Sequence, residues 1–150
     1  MEITRQADYA VRTMLDLSRQ PVGMRVRTGE IAARQQIPPT FLAKIVAQLS
    51  VAGLLHTTRG AQGGLVLAKR PEEITLLEVL ETIDGPIVFN RCAADPGHCP
   101  FGDTCEVQQV WADLQNTVTQ KLGSVTFAQL VSRPVGIRQL MPVAALMVAA

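Results

Sequence analysis

The sequence predicts a mainly α-helical chain with one small β-hairpin: a winged helix-turn-helix followed by a long helix. Three observations predict it. Two short amphipathic stretches are separated by a tight, proline-containing turn; two β-prone runs flank a glycine-rich tip directly after them; and apolar residues recur at helical spacing from Val107 to Leu122.

The elements follow in order. From Thr4 to Arg19, Ala7, Ala10, Val11, Met14, Leu15 and Leu17 fall at helical spacing, with Thr4 placed to cap the start. Pro21 and Gly23 break that pattern. Thr28 is a candidate N-cap for a short second helix through Ile31, Ala32 and Ala33, which must end before Pro38. After Pro38-Pro39, Thr40 opens a third helix through Phe41, Leu42, Ile45, Val46, Leu49 and Ala52, closed by Gly53. The runs Leu54–Thr58 and Leu65–Ala68 enclose Arg59-Gly60-Ala61-Gln62-Gly63-Gly64, a hairpin whose place after the two helices makes it a wing. Thr75 to Asp84 reads as a further helix stopped by Gly85-Pro86, and an irregular segment runs from about Asn90 to Thr104. The stripe Val107, Val110, Trp111, Leu114, Val118 and Leu122 then suits either a partner chain or the chain's own core. Residues 1–70 are thus the winged helix-turn-helix, residues 71–132 carry the linking helix, cysteine loop and long helix, and residues 133–150 form a tail of unassigned role.

Composition narrows the function. At 150 residues, 47% apolar and 18% charged, the chain can bury one real core; a multidomain enzyme and wholesale disorder are both excluded. Six aromatic residues are too few for the stacking platforms that grip single-stranded nucleic acid. The net charge of +1 hides an asymmetry: residues 1–70 carry ten Lys/Arg against four Asp/Glu, and residues 71–150 carry four against nine. A basic half attached to a wing points to duplex DNA, whose phosphates reward cations. The N-terminus has no apolar signal core, and the apolar tail is too short to span a membrane, so the expected location is cytoplasmic.

Recognition helices place their first turn in the major groove, which singles out Pro39, Thr40, Phe41 and Lys44, with Thr28 at the start of the preceding helix. Thr40 could equally be a cap and Phe41 a core residue, while Lys44 suits a phosphate. In the wing, Gly60, Gly63 and Gly64 permit a close backbone approach, and Arg59 can enter a minor groove.

Cys92, Cys99 and Cys105 are the only cysteines and lie within 14 positions, in a chain with no export signal. That clustering argues for metal chemistry, since loop thiolates suit an iron-sulfur cluster or zinc, and spacing does not choose between them. Three thiolates leave a fourth ligand open among His98, Asp95, Asp103 and the more distant Asp8, which could instead pair with Arg12 at i, i+4. His56 and the carboxylate pairs Glu72-Glu73 and Glu78-Glu81 form no catalytic constellation, so an enzyme is not expected.

Taken together, Asp8-Tyr9-Ala10, Ile31-Ala32, Phe41-Leu42-Ala43-Lys44-Ile45, Arg59-Gly60-x-x-Gly63-Gly64, Ile74-Thr75-Leu76, Asp84-Gly85 and the three-cysteine loop resemble the Rrf2 family of bacterial winged-helix regulators. The resemblance extends through about residue 132. It implies a homodimer in which the long helix crosses its partner, reading a pseudo-palindromic operator on double-stranded DNA. Among cluster-binding members, one type ligates through a histidine three residues past the third cysteine, where this chain has Gln108. The NsrR type uses an aspartate of the first helix across the dimer, and Asp8 matches it, with Arg12 beside the cluster. The resemblance therefore implies a 4Fe-4S cluster on Cys92, Cys99, Cys105 and Asp8 that senses nitric oxide, in a regulator acting as a repressor. A 2Fe-2S cluster, or a response to iron or redox state, is the alternative within the family. Outside it stands a metal-stabilised interaction module without DNA binding.

Overall fold

Thr4 opens the first helix as the sequence requires. In the computed structural model, which describes residues 3–60, 63–90, 95, 97, 101 and 104–133, its hydroxyl accepts the Ala7 amide at 3.1 Å and starts α1 (Arg5–Ser18). The same hydroxyl donates to Asp84 Oδ1 at 2.6 Å, fastening the start of α1 to the end of a later helix.

The helix-turn-helix follows as α2 (Thr28–Gln35) and α3 (Pro39–Val51). Two expected caps move. The N-cap of α2 is Arg27, which makes no side-chain cap bond, so Thr28 is the first helical residue rather than the cap. The N-cap of α3 is Pro38, and Pro39 occupies the first helical position, where its missing N–H costs nothing; Thr40 lies inside the first turn. Between the helices Gln36 takes a left-handed conformation (φ 53°), which ends α2 and turns the chain.

The wing is β1 (Leu55–Thr58) paired antiparallel with β2 (Gly64–Leu67), Leu55 opposite Leu67. Val26 adds a single rung on the other edge of β2: its amide donates to the Leu65 carbonyl at 2.9 Å and its carbonyl accepts from the Leu65 amide at 2.8 Å. The glycines have distinct tasks. Gly60 has φ 107°, a Cβ at Gly63 would lie 2.3 Å from the Thr58 carbonyl oxygen, and one at Gly64 would lie 2.7 Å from that of Val26.

Thr75 then caps α4 (Leu76–Asp84), accepting the Glu78 amide at 3.1 Å, and Gly85 ends it with φ 80°. The long helix is α5 (Gln108–Gly123). A short α6 (Phe127–Ser132), not foreseen from periodicity, starts at a full capping box between Thr126 and Gln129.

One core joins these elements. Met14 of α1, Leu42, Ile45 and Leu49 of α3, Leu54, Ile74, Val79 of α4 and Phe127 of α6 are all buried in it. Against its flank, Val118 and Leu122 of α5 meet Leu80 and Ile87, while the Gln115 amide donates to the Ile87 carbonyl. No residue of α5 is fully buried, and Val107, Val110 and Leu114 at its N-terminal end remain 46%, 59% and 39% exposed. Among the described residues, no helix is long and apolar enough to cross a membrane.

Candidate nucleic-acid interface and metal-ligand residues

The two faces of α3 separate cleanly. Leu42, Ile45, Val46 and Leu49 are buried, whereas Pro39, Thr40, Phe41 and Lys44 are exposed, so the candidate recognition residues share the outward side and first turns. Phe41 is not core: it is 47% exposed and its ring meets Tyr9 of α1 edge-on, with centroids 6.2 Å apart.

A groove of about 620 Å³ runs between the start of α2, the flank of α3 and the wing. It brings together Thr28, Arg59, Gly60, Gly63 and Gly64, residues separated by up to 36 positions in sequence, and adds Arg27, Thr57 and Thr58 to them. Arg27 and Arg59 place two cations on this groove, and Thr28, the first residue of α2, lines it beside them. Guanidinium groups beside a helix N-terminus suit phosphate oxygens. Pro39, Thr40, Phe41 and Lys44 do not line the groove; they stand on α3 beyond it.

Of the ligand candidates, Asp8, Asp95 and Cys105 fall among the described residues. Asp8 is 57% exposed at its side chain and lies 3.5 Å from Arg12, a solvated pair that holds it loosely. Arg12 has further partners: its guanidinium donates to the Gln35 carbonyl at the end of α2 and sits 5.6 Å from the Tyr9 ring centre. Cys105 is a half-buried free thiol three residues ahead of α5, and Gln108 is the first residue of that helix. Asp95 is exposed and accepts the Gly97 amide at 3.2 Å. Cys92, Cys99, His98 and Asp103 lie outside the described residues. Among the described residues, no three His, Cys, Asp or Glu side chains gather around one point.

One constellation is not apparent from the sequence patterns. Asp16 of α1 is buried, 5% exposed at its side chain, and Oδ1 accepts from Arg34 Nη2 at 2.7 Å while Oδ2 accepts from Arg34 Nε at 3.0 Å and from Gln35 Nε2 at 2.8 Å. Burial alone would raise its pKa. The hydrogen bonds from Arg34 and Gln35, with the charges of Arg34 and Arg19, outweigh it and hold the carboxyl below the usual range. The Arg34 guanidinium is in turn raised, chiefly by its hydrogen bond to Asp16. A usable signal was present: a lone carboxylate set between Leu15 and Leu17 on a helix whose neighbours Thr13 and Leu17 are core.

Comparison with known proteins places this geometry. A family model described as Rrf2, iron-dependent transcriptional regulator, matches residues 3–133. The HTH-type protein Rv1287 of Mycobacterium tuberculosis is 36% identical over 131 residues, covering 87% of this chain and 81% of that one. The transcriptional regulator IscR of Photorhabdus laumondii is 33% identical over 132 residues, 88% of this chain and 80% of that one. Among solved structures, IscR of T. potens superposes with a TM-score of 0.69 at 26% identity, covering 87% of this chain and 86% of that one. CymR, the global cysteine regulator of B. subtilis, superposes at 0.70 with 23% identity, over 88% of this chain and 97% of that one, a likeness of fold.

Proposed function

This chain belongs to the Rrf2 family of DNA-binding transcriptional regulators and is not an enzyme; on that footing we propose that it is a homodimeric repressor whose hold on its operator is set by a 4Fe-4S cluster sensing nitric oxide. The cluster ligands are Cys92, Cys99 and Cys105 of one subunit and Asp8 of the partner subunit. Residues 1–70 form the reading unit and residues 71–132 the cluster loop and dimer helix. The observation that carries this reading is the state of Asp8: an exposed carboxylate, held among the described residues by a 3.5 Å surface pair, on a helix that touches both α2 and α3.

The donor set fits such a cluster. Cys105 is an unbonded thiol at the foot of α5, a soft donor of the kind iron-sulfur clusters take, and the exposed part of α5 is where a second chain would bring its own Asp8. When bound, the cluster supplies iron that nitric oxide attacks, and among its ligands the carboxylate is the hardest and the worst match.

The chain's own residues carry the consequence to DNA. Asp8 and Arg12 lie one turn apart on α1, and Arg12 also holds the last residue of α2 through the Gln35 carbonyl. Tyr9, between them in sequence, packs on Phe41 in the first turn of α3. A shift of α1 is therefore felt at both helices of the reading unit. Thr40, Phe41 and Lys44 present the major-groove face, Arg59 with Gly60, Gly63 and Gly64 the wing, and Thr28 the phosphate edge of the groove. A dimer sets two such units on a pseudo-palindromic operator. A few kcal/mol of coupling suffices to change operator occupancy.

The test is a visible absorption spectrum with iron and acid-labile sulfide counts on protein purified without oxygen, followed by nitric oxide titration of operator binding. About four iron and four sulfide per chain support the reading, and about two of each move it to a 2Fe-2S cluster. Asp8→Ala is expected to weaken cluster retention and blunt the nitric oxide response; an unchanged spectrum and response would remove Asp8 from the ligand set. A second reading, a response to iron supply, draws support from the matched family's description as iron-dependent. Operator release by an iron chelator but not by nitric oxide would select it.

A further inference from the structure

We propose that Asp16 is a positioning residue for DNA recognition: from inside α1 it locks the rotation and register of α2, and through α2 the placement of α3 on the duplex. The proposal rests on DNA binding by the helix-turn-helix and on no property of a cluster.

The contact is built for geometry. Asp16 is a carboxylate with both oxygens engaged and 5% of its side chain exposed. Arg34 meets it with a two-pronged fork at 2.7 and 3.0 Å, a planar arrangement that tolerates little rotation, and Gln35 adds a third bond at 2.8 Å. One turn earlier on α1, Arg12 donates to the carbonyl of Gln35. α1 thus offers a cation and an anion, Arg12 and Asp16, to two consecutive residues at the end of α2. That pairing has only one register. Turning α2 by one residue would withdraw Gln35 from both partners, and sliding it by one helical turn would bring the Arg34 cation toward Arg12.

Simple adhesion would not need a buried carboxylate held by an arginine whose own side chain stays 44% exposed. Apolar residues of similar size hold helices together as well or better, and the best-attested use of buried polar contacts is to single out one register. The position of the lock matters as well. Immediately beyond Gln35 the backbone reverses at Gln36 (φ 53°), and Pro38 and Pro39 then set the entry to α3. With two prolines and one left-handed residue in the connection, the direction of α3 follows that of the end of α2. Sequence readout in the major groove depends on that direction, whereas binding to phosphates at large does not.

The experiment compares two duplexes of equal length: one enriched by the wild-type protein from a random pool, and one of random sequence. Asp16→Asn keeps the side-chain volume and removes the charge. It is expected to weaken binding to the enriched duplex about tenfold, with random-sequence affinity and its salt dependence unchanged within about twofold. Arg34→Gln should do the same, and the double variant should lose no more than either single one. Gln35→Met, which deletes one bond and leaves the ion pair, provides a folded intermediate should the charge variants melt, and is expected to show the same loss of discrimination in smaller measure. Equal losses on both duplexes, or full discrimination in all three single variants, would overturn the proposal by making the contact one of stability alone. A wild-type protein that enriches no duplex would overturn it too, by removing the DNA recognition on which it rests.

Discussion

α3 and α5 are amphipathic helices of comparable length, 13 and 16 residues, and they end in opposite situations. Four residues of α3 are buried against α1, α4 and the wing, while α5 buries none completely and leaves Val107, Val110 and Leu114 open. The charge divides the same way, basic through residue 70 and acidic beyond it. Periodicity reports that a helix has an apolar face; what covers the face is decided by neighbours. Around α3 the same chain supplies them, and around the first half of α5, among the described residues, it does not.

Breaking the contrast starts with the core side. Leu49→Ala, at a position with no solvent exposure, is expected to lower the unfolding free energy by about 3 kcal/mol at every protein concentration, measured by urea denaturation. Leu114→Asp on α5 is expected to leave the fold of the single chain intact and to abolish the dependence of the unfolding midpoint on protein concentration, as sedimentation of a monomer would show. Equal, concentration-independent losses from the two substitutions would erase the distinction between the helices.

The glycines sharpen it. Alanine at Gly64 would place Cβ 2.7 Å from the Val26 carbonyl oxygen, and backbone cannot step aside cheaply, so a loss of about 2 kcal/mol in thermal or urea unfolding is expected. Gly123, at the last turn of α5, meets only Leu77 Cδ2 at 3.5 Å, and Gly123→Ala is expected to stabilise by about 0.5 kcal/mol through helix propensity.

Acid offers the gentlest probe. The Asp16 carboxyl is held below the ordinary range when folded, so its contribution is complete above the unfolded-state value and is lost as pH falls through the lower folded one. The stability gap between wild type and Asp16→Asn should accordingly be widest near neutrality and close in strong acid. A gap that widened on acidification would mean that the carboxylate is destabilised by its site.

The helix-turn-helix and wing are legible because each leaves local marks, prolines ahead of α3 and glycines where the hairpin turns, as Thr4 marks the start of α1. Caps were the weaker marks. Thr28 and Thr40 look like caps, yet Arg27 and Pro38 hold those positions without a side-chain cap bond, and each threonine falls inside the first turn. Long-range pairings left little trace. The Val26–Leu65 rung, the Asp16–Arg34 fork and the Arg12–Gln35 bond join residues 18 to 39 positions apart, and a single sequence carries no distance between them. α6 is hidden for a different reason: six residues are too few for periodicity, and its mark in the sequence is the capping box of Thr126 and Gln129. Of the candidate groove, Thr28, Arg59, Gly60, Gly63 and Gly64 are legible by residue type, whereas Arg27, Thr57 and Thr58 join them only through the fold.

The rung between Val26 and Leu65 lies one residue ahead of the cap of α2. It works as a caliper, fixing the gap between wing and helix-turn-helix independently of residues 19–25, which merely carry the chain across. Those residues are therefore free to lengthen or shorten over evolutionary time, or in an engineered graft, without changing the span of duplex that the two jaws grip.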